Sequence, residues 1–261
     1  MKSIVLCADD YGLTASISEG ILSLVEQRRL SAVSCMTCLP DWKHFAPLLK
    51  SFTDQTAIGL HFNLTESDTA LPLGQLMLKS LSGGLDVEWI QDTLDKQLDD
   101  FEDQLGQAPD FIDGHQHVHI FPSIRQILFK TVRQRYPNHP IWLRRVNPAL
   151  TGHDALLKAI VLHLMGLGWE QQASLHQCKL TQHFAGLYSL RPDANFASLL
   201  QSWMVKLPKG GLIMCHPGAK EVNAVGMMLT RQNEYDYLAS DVFLETLNKH
   251  AITLTKTPAF L

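Results

Sequence analysis

The sequence predicts an α/β fold, a distorted or incomplete (β/α) TIM-like barrel. Strand-like and helix-like segments alternate roughly seven times along the chain, which favours a parallel sheet. Polar side chains follow four of the strand segments, and the carboxyl ends of barrel strands meet at one mouth. The chain has no obvious linker or internal repeat, so we expect one domain over residues 1–261. A doubly wound open sheet is the alternative.

Composition limits the function. The chain has 261 residues, of which 46% are hydrophobic and 18% charged, with a formal net charge of −4. This balance gives no sign of a surface for nucleic acid, and no apolar stretch reaches the roughly 20 residues that span a bilayer. Five scattered cysteines argue against a disulfide framework and predict a reducing, cytoplasmic location. We interpret the C-x-x-C spacing at Cys35 and Cys38 as structural.

The elements are predicted in chain order. A short strand over residues 3–8 runs into Asp9 and Asp10, and the pattern Ser16-x-x-Glu19 predicts a capped helix over 16–29. Further strands are predicted over 32–38, 57–64, 110–115, 141–146, 212–215 and 251–255. Further helices are predicted over 42–50, 87–105, 122–135, 153–167, 195–206 and 240–249. Residues 67–86 are predicted to be an irregular loop above the barrel mouth, and residues 170–192 show no clear pattern.

The polar strand ends suggest chemistry. Two adjacent carboxylates, Asp9 and Asp10, repel each other, and a metal ion would relieve that cost, although they could also be turn formers. Histidines follow the other strand ends, at His61, at His216 and in the run His115, His117 and His119. Two histidines and one carboxylate form a plausible divalent-metal triad, whose mixed ligands favour zinc, iron, cobalt or manganese over magnesium. A second carboxylate acting as base and a histidine acting as acid would then describe a hydrolase of amides or esters.

Four blocks together are similar to the YdjC family of carbohydrate deacetylases. They are ADDYG at 8–12, IGLHFNLT at 58–65, DGHQHVH at 113–119 and CHPG at 215–218. The family includes chitooligosaccharide deacetylases and hopanoid-associated members. The resemblance implies a polysaccharide-deacetylase-like distorted barrel with a metal site.

The resemblance also implies residue roles. Asp9 would be the general base and His216 the acid or transition-state stabiliser. One divalent ion, Mg²⁺ or Zn²⁺, would be held by Asp10, His61 and His115. Candidate substrate contacts are Arg144, His117 and Glu66. Arg144 could instead orient Asp9 or lie on the surface, and Arg231-x-x-Glu234 could be a family motif or structural.

The function implied is a metal-dependent hydrolase that removes the N-acetyl group from an acetylated amino sugar or short oligosaccharide. The alternatives are a metal-dependent hydrolase of another bond, such as a phosphoester or simple amide, and a non-catalytic sugar-binding protein on the same fold. The expected partner is a small carbohydrate, and the resemblance also implies a homodimer. Loss of Asp10 should cost metal occupancy, whereas loss of Asp9 should cost turnover with the metal retained.

Overall fold

The computed structural model describes residues 1–67 and 69–261 and is built on one curled parallel sheet. Its main path has the order β6-β5-β4-β3-β2-β1-β8-β7, and β9 pairs with the start of β1. The strands are β1 (Lys2–Tyr11), β2 (Ala32–Cys35), β3 (Ala57–Phe62), β4 (Phe111–Gly114), β5 (Trp142–Leu143), β6 (Lys179–Leu180), β7 (Phe184–Ala185), β8 (Gly211–Cys215) and β9 (Ile252–Leu254). Each neighbouring pair is parallel.

Helices connect the strands. They are α1 (Ala15–Glu26), α2 (Trp42–Leu49), α3 (Leu73–Ser82), α4 (Val87–Leu105), α5 (Pro122–Arg135), α6 (Leu156–Met165), α7 (Trp169–Leu175), α8 (Phe196–Lys206), α9 (Gly226–Ala239) and α10 (Asp241–Lys249). Within the described ranges, no helix combines the length and the apolar character needed to cross a bilayer.

The strand order is that of an incomplete barrel. It is a cyclic rotation of the chain order, so consecutive strands are neighbours and β8 lies beside β1. The sheet ends at β6 on one side and at β7 on the other. C-terminal residues bind β6 and the segment that joins it to β7: Leu261 N donates to Leu180 O (3.0 Å), and Gln182 N donates to Ala259 O (2.9 Å). The predicted distorted or incomplete (β/α) barrel is confirmed. The doubly wound alternative is wrong, because its strand order would reverse at a switch point.

The prediction of an irregular loop over 67–86 is wrong for most of that segment, of which residue 68 lies outside the described residues. Helix α3 occupies Leu73–Ser82 and buries Leu76 and Ser80. Pro72 and Gly83 are residue types typical of loops, but here they lie at the two ends of this helix, Gly83 with φ of 71°. Pro and Gly mark helix boundaries as readily as loops.

Two more differences concern helices. Helix α1 begins at Ala15, because Thr14 caps it by accepting from Ile17 N, so the predicted Ser16 cap is wrong. Helix α9 was not predicted. Its buried residues are Thr230, Arg231, Glu234 and Leu238, so a mostly polar buried face concealed the apolar periodicity by which a helix is recognised. Residues 170–192 hold α7, β6 and β7.

Candidate active site

The acidic pair lies on an irregularity at the end of β1. The pairing with β2 runs from Ala8↔Val33 to Tyr11↔Cys35, so β1 carries one extra residue there. Asp10 takes up this extra length with φ of 73°, a left-handed conformation that is unusual for a residue other than glycine. Such bulges re-aim side chains next to active sites, and here both carboxylates are buried at the carboxyl edge of the sheet.

Three predicted metal ligands converge at this edge. The Oδ1 atom of Asp10 lies 3.2 Å from His61 Nε2 and 2.9 Å from His115 Nδ1. Ligand atoms of the three residues all lie within 4.8 Å of one another. The three residues lie at the ends of β1, β3 and β4, which are close together in the sheet because only β2 separates β1 from β3. Parallel pairing therefore brings together residues that are more than fifty positions apart in sequence.

The far side of His61 is held by Asp113. His61 Nδ1 donates to Asp113 Oδ1 (2.6 Å), and Ser34 Oγ donates to the same oxygen (2.5 Å). Burial lowers the pKa of the His61 imidazole, but Asp113 and then Asp9 outweigh it and raise that pKa to about 10. With Nδ1 engaged, Nε2 faces Asp10. This is the arrangement of a metal-binding histidine whose second nitrogen donates to a carboxylate.

Asp9 is paired with Arg144. The two guanidinium nitrogens donate to the two carboxylate oxygens at 2.6 Å each, and Arg144 also pairs with Asp113. Burial raises the pKa of the Asp9 carboxyl, but Arg144 outweighs it and holds that pKa below its usual range. Arg144 has no exposed surface and does not line the cavity, so the prediction of a substrate contact is corrected. Its position is that of a group that orients Asp9.

Asp10 has its own arginine on α9. Arg231 pairs with Asp10 Oδ2 and is buried. Glu234, one turn later, accepts from the His216 backbone N–H (2.5 Å) and from the Tyr188 hydroxyl. Burial raises the pKa of the Glu234 carboxyl to about 7. Arg231 therefore lines the cavity, and Glu234 lies behind it and holds the His216 backbone.

His216 follows β8 and faces Asp9. Its Nε2 lies 4.0 Å from Asp9 Oδ2, and its Nδ1 is buried without a hydrogen-bond partner within the described residues. Burial lowers the pKa of this imidazole to about 4, which favours its neutral form. A neutral imidazole beside a carboxylate can accept a proton and pass it on.

The three histidines after Gly114 do not share one face. Gln116 and His117 adopt left-handed φ angles of 51° and 61°, which splay the run. His115 reaches Asp10, His117 lines the cavity, and His119 is fully buried with Nε2 3.0 Å from Arg144 O. Glu66 also lines the cavity, 3.8 Å from His115 Nε2. His117 and Glu66 are therefore placed where a substrate could reach them.

A metal ion fits one of two acidic clusters. Ligand-type atoms also gather at Cys7, Asp9 and Asp113, but the Arg144 guanidinium contacts all three and supplies the positive charge there. The cluster of Asp10, His61 and His115 lines a cavity of about 720 Å³ through its two histidines. An oriented Nε2, a nearby Nδ1 and a carboxylate oxygen suit a divalent cation with open positions.

Sequence comparison gives a family model and several relatives. The family model described as YdjC-like protein matches residues 3–249. A carbohydrate deacetylase of Danio rerio is 28% identical over 64% of this chain, and one of Homo sapiens is 25% identical over 85%. A chitooligosaccharide deacetylase of Yersinia pestis (strain Pestoides F) is 30% identical over 51%. The alignments span 62%, 77% and 57% of those relatives, so the chain covers less than two thirds of the first and third.

Structure comparison concerns the fold. A solved structure of an Enterococcus faecalis V583 protein named for cellobiose-phosphate cleavage has a TM-score of 0.69 at 18% identity, over 97% of both chains. A peptidoglycan N-acetylglucosamine deacetylase has a TM-score of 0.53 at 13% identity, over 97% of this chain and 85% of that one. The polysaccharide-deacetylase-like fold is thus confirmed. Since the family model covers nearly the whole chain, the protein belongs to the YdjC-like protein family.

Proposed function

We propose that this protein is a metal-dependent N-deacetylase of an acetylated amino sugar or short oligosaccharide. The observation that carries the proposal is the different surroundings of two adjacent carboxylates at the carboxyl edge of the sheet. Asp10 faces two imidazoles, as a metal ligand would, while Asp9 faces His216 and a guanidinium, as a proton acceptor would. Relatives named carbohydrate deacetylase and chitooligosaccharide deacetylase support the choice of substrate class.

The metal would be held by Asp10, His61 and His115. When bound, a divalent ion supplies positive charge that acidifies water and stabilises a developing oxyanion. Asp113 holds His61 with Nε2 toward that position, and Glu66 stands beside the outer nitrogen of His115.

The protein's own proton transfers would run between Asp9 and His216. Asp9 takes the proton of the attacking water at a carboxylate oxygen, and Arg144 keeps this carboxylate ionised and oriented. Because the ion pair with Arg144 lowers the pKa of Asp9, this carboxylate is a weak base and would take a proton only from a water whose own pKa is lowered. Asp9 then passes this proton to His216 Nε2, 4.0 Å away, and the restored Asp9 carboxylate stabilises the imidazolium. His216 Nε2 gives the proton to the departing nitrogen as the bond between that nitrogen and the acetyl carbon breaks.

Acetate release from diacetylchitobiose by zinc-loaded or magnesium-loaded protein tests the proposal. Asp9→Asn should lose turnover by a factor of at least ~10² while metal content stays at the wild-type level. Asp10→Asn should lose metal, measured by mass spectrometry of the desalted protein. Asp92→Asn, an exposed change on α4, is the matched control and should alter neither.

Three outcomes would contradict the proposal. Phosphate release from a generic phosphoester without acetate release would favour a different hydrolase. Tight sugar binding without turnover by metal-loaded protein would favour a non-catalytic binding protein. Full turnover by Asp9→Asn would exclude this residue as the base.

A further inference from the structure

One amide side chain is buried on a helix whose other buried residues are apolar. Gln97 lies on α4 and is 1% exposed, and the buried positions next to it are Leu98 and Phe101. Its two amide atoms bind one residue: Asn63 N donates to Gln97 Oε1 (2.9 Å), and Gln97 Nε2 donates to Asn63 O (2.7 Å). Asn63 lies one position beyond β3, so Gln97 binds both backbone polar groups of the first residue after the strand.

The side chain of Asn63 closes the turn that carries Glu66. Its Oδ1 accepts from the backbone N–H groups of Thr65 and Glu66 (3.0 Å each), and its Nδ2 donates to Glu66 O (2.7 Å). Asn63 is itself buried, so the turn is tied on its inner side to α4 through Gln97. Buried polar networks whose members are bonded in this way make the backbone that they hold rigid.

The carboxylate of Glu66 is presented to the cavity by this turn. Glu66 lines the cavity, its side chain is 45% exposed, and its Oε1 lies 3.8 Å from His115 Nε2, which is beyond hydrogen-bond distance. An ionised carboxylate only accepts hydrogen bonds, so it suits donors such as the hydroxyls of a sugar ring. We propose that Glu66 binds a hydroxyl of the substrate and that Gln97 is a positioning residue, which holds Glu66 in place through Asn63. This inference rests on the proposed function, because it needs a sugar in the cavity.

Acetate release from diacetylchitobiose by zinc-loaded protein gives the first test. Glu66→Ala should lower kcat/KM by about tenfold or more, because a hydrogen bond to a charged group is lost. The loss should lie mainly in KM, since this contact is made to the bound sugar as well as in the transition state. Gln97→Leu removes both contacts to Asn63 and should lower kcat/KM in the same way, by roughly three- to tenfold. Affinity for the sugar, measured by calorimetry in the Asp9→Asn background, should fall in parallel.

A double-mutant cycle separates positioning from a general structural effect. If Gln97 acts through Glu66, the double variant Glu66→Ala/Gln97→Leu should have the kcat/KM of Glu66→Ala alone, whereas independent losses would multiply. Gln91→Leu is the matched control, because Gln91 lies on the same helix but its amide donates to Asp95 and Thr131, and it should change neither kcat/KM nor sugar affinity.

Gln97→Glu is the conservative variant. It keeps an acceptor for Asn63 N and loses only the donor to Asn63 O, so its kcat/KM should lie between those of wild type and Gln97→Leu. The same double-mutant cycle is run with this variant if thermal unfolding shows that Gln97→Leu is not folded at the assay temperature.

Several results would overturn the inference and leave the deacetylase proposal intact. Unchanged kcat/KM in Glu66→Ala would exclude the hydroxyl contact, and losses that multiply in the double variant would make Gln97 a purely structural residue. A fall in zinc content that matches the fall in turnover of Glu66→Ala would assign this carboxylate to the metal site instead. Absence of acetate release by wild type would contradict the deacetylase, and sugar affinity would then decide the inference: a fall in Glu66→Ala and Gln97→Leu supports it, and unchanged affinity overturns it.

Discussion

Arg144 is the residue whose replacement tests the electrostatic design most directly. Its guanidinium is fully buried and binds two buried carboxylates, those of Asp9 and Asp113. Arg144→Met keeps much of the side-chain volume and removes the charge. Two carboxylates then stay buried without their partner, and breaking a buried pair in this way costs about 3–5 kcal/mol in the free energy of unfolding.

The measurement is urea unfolding followed by circular dichroism, with thermal unfolding beside it. A loss of that size corresponds to a fall in Tm of roughly 6–20 °C for a protein of this length. Arg191→Met is the matched control, because Arg191 pairs with Asp193 at the surface, and it should change stability by no more than about 0.5 kcal/mol. A loss below ~1 kcal/mol in Arg144→Met would refute the reasoning.

The stability difference between wild type and Arg144→Met should also depend on pH, in a direction set by the pKa of Asp9. The pKa of Asp9 lies below its usual range in the folded protein, so its contribution is present above the unfolded pKa and is lost as pH falls. In Arg144→Met the buried carboxyls have lost their cation, so burial raises their pKa. The stability difference between wild type and Arg144→Met should therefore be largest at high pH and shrink as pH falls and the carboxyls of the variant take up protons. Arg144→Lys should keep more stability but lose turnover, because one ammonium cannot reproduce the two-pronged contact with Asp9.

Three other changes have defined outcomes. Asp113→Asn should weaken zinc binding by about 10–100-fold in calorimetric titration, because it loosens His61; unchanged affinity would contradict the orienting role. Glu234→Gln should remove a pH dependence from urea unfolding. The pKa of the Glu234 carboxyl is about 7 in the folded protein against 4.5 in the unfolded chain, so wild type should lose roughly 3 kcal/mol of stability relative to the variant as pH rises from 4.5 to 7. Parallel plots of stability against pH for the two proteins would refute this. Gly12→Ala should lose roughly 1–3 kcal/mol, since φ is 93° and the added Cβ would lie 2.7 Å from a backbone oxygen, whereas Gly74→Ala, in open space within α3, should lose none.

The sequence was sufficient to predict the barrel and the residues at its strand ends. Parallel strands bring their carboxyl ends to one edge, so Asp10, His61 and His115 could be grouped without knowing the loops. Their separate roles stay predictions, but the structure does place them together. The role of Asp113 could not be predicted, because nothing in its local sequence shows that it accepts a hydrogen bond from His61 Nδ1.

Helices α3 and α9 and the position of Arg144 could not be predicted, each for a different physical reason. Arg231 and Glu234 lie on a helix whose buried face is polar, and apolar periodicity cannot detect such a helix. Helix α3 was obscured by Pro72 and Gly83, which are boundary residues of the helix and not interruptions. Arg144 is followed directly by Arg145, and the sequence does not show which of the two points inward. The packing around β5 buries Arg144 fully and Arg145 only in part.

The division of roles proposed for Asp9 and Asp10 rests on their different guanidinium partners. Arg144 occupies both oxygens of Asp9 from 135 residues away, so this carboxylate is fixed as an ion facing His216. Arg231 binds only Oδ2 of Asp10, from 221 residues away, and leaves Oδ1 to the two imidazoles. Two adjacent carboxylates can both stay ionised because each has its own cation, and only one of them offers an oxygen to the histidine pair. The two acids are therefore not interchangeable, although they are neighbours in sequence and identical in chemistry.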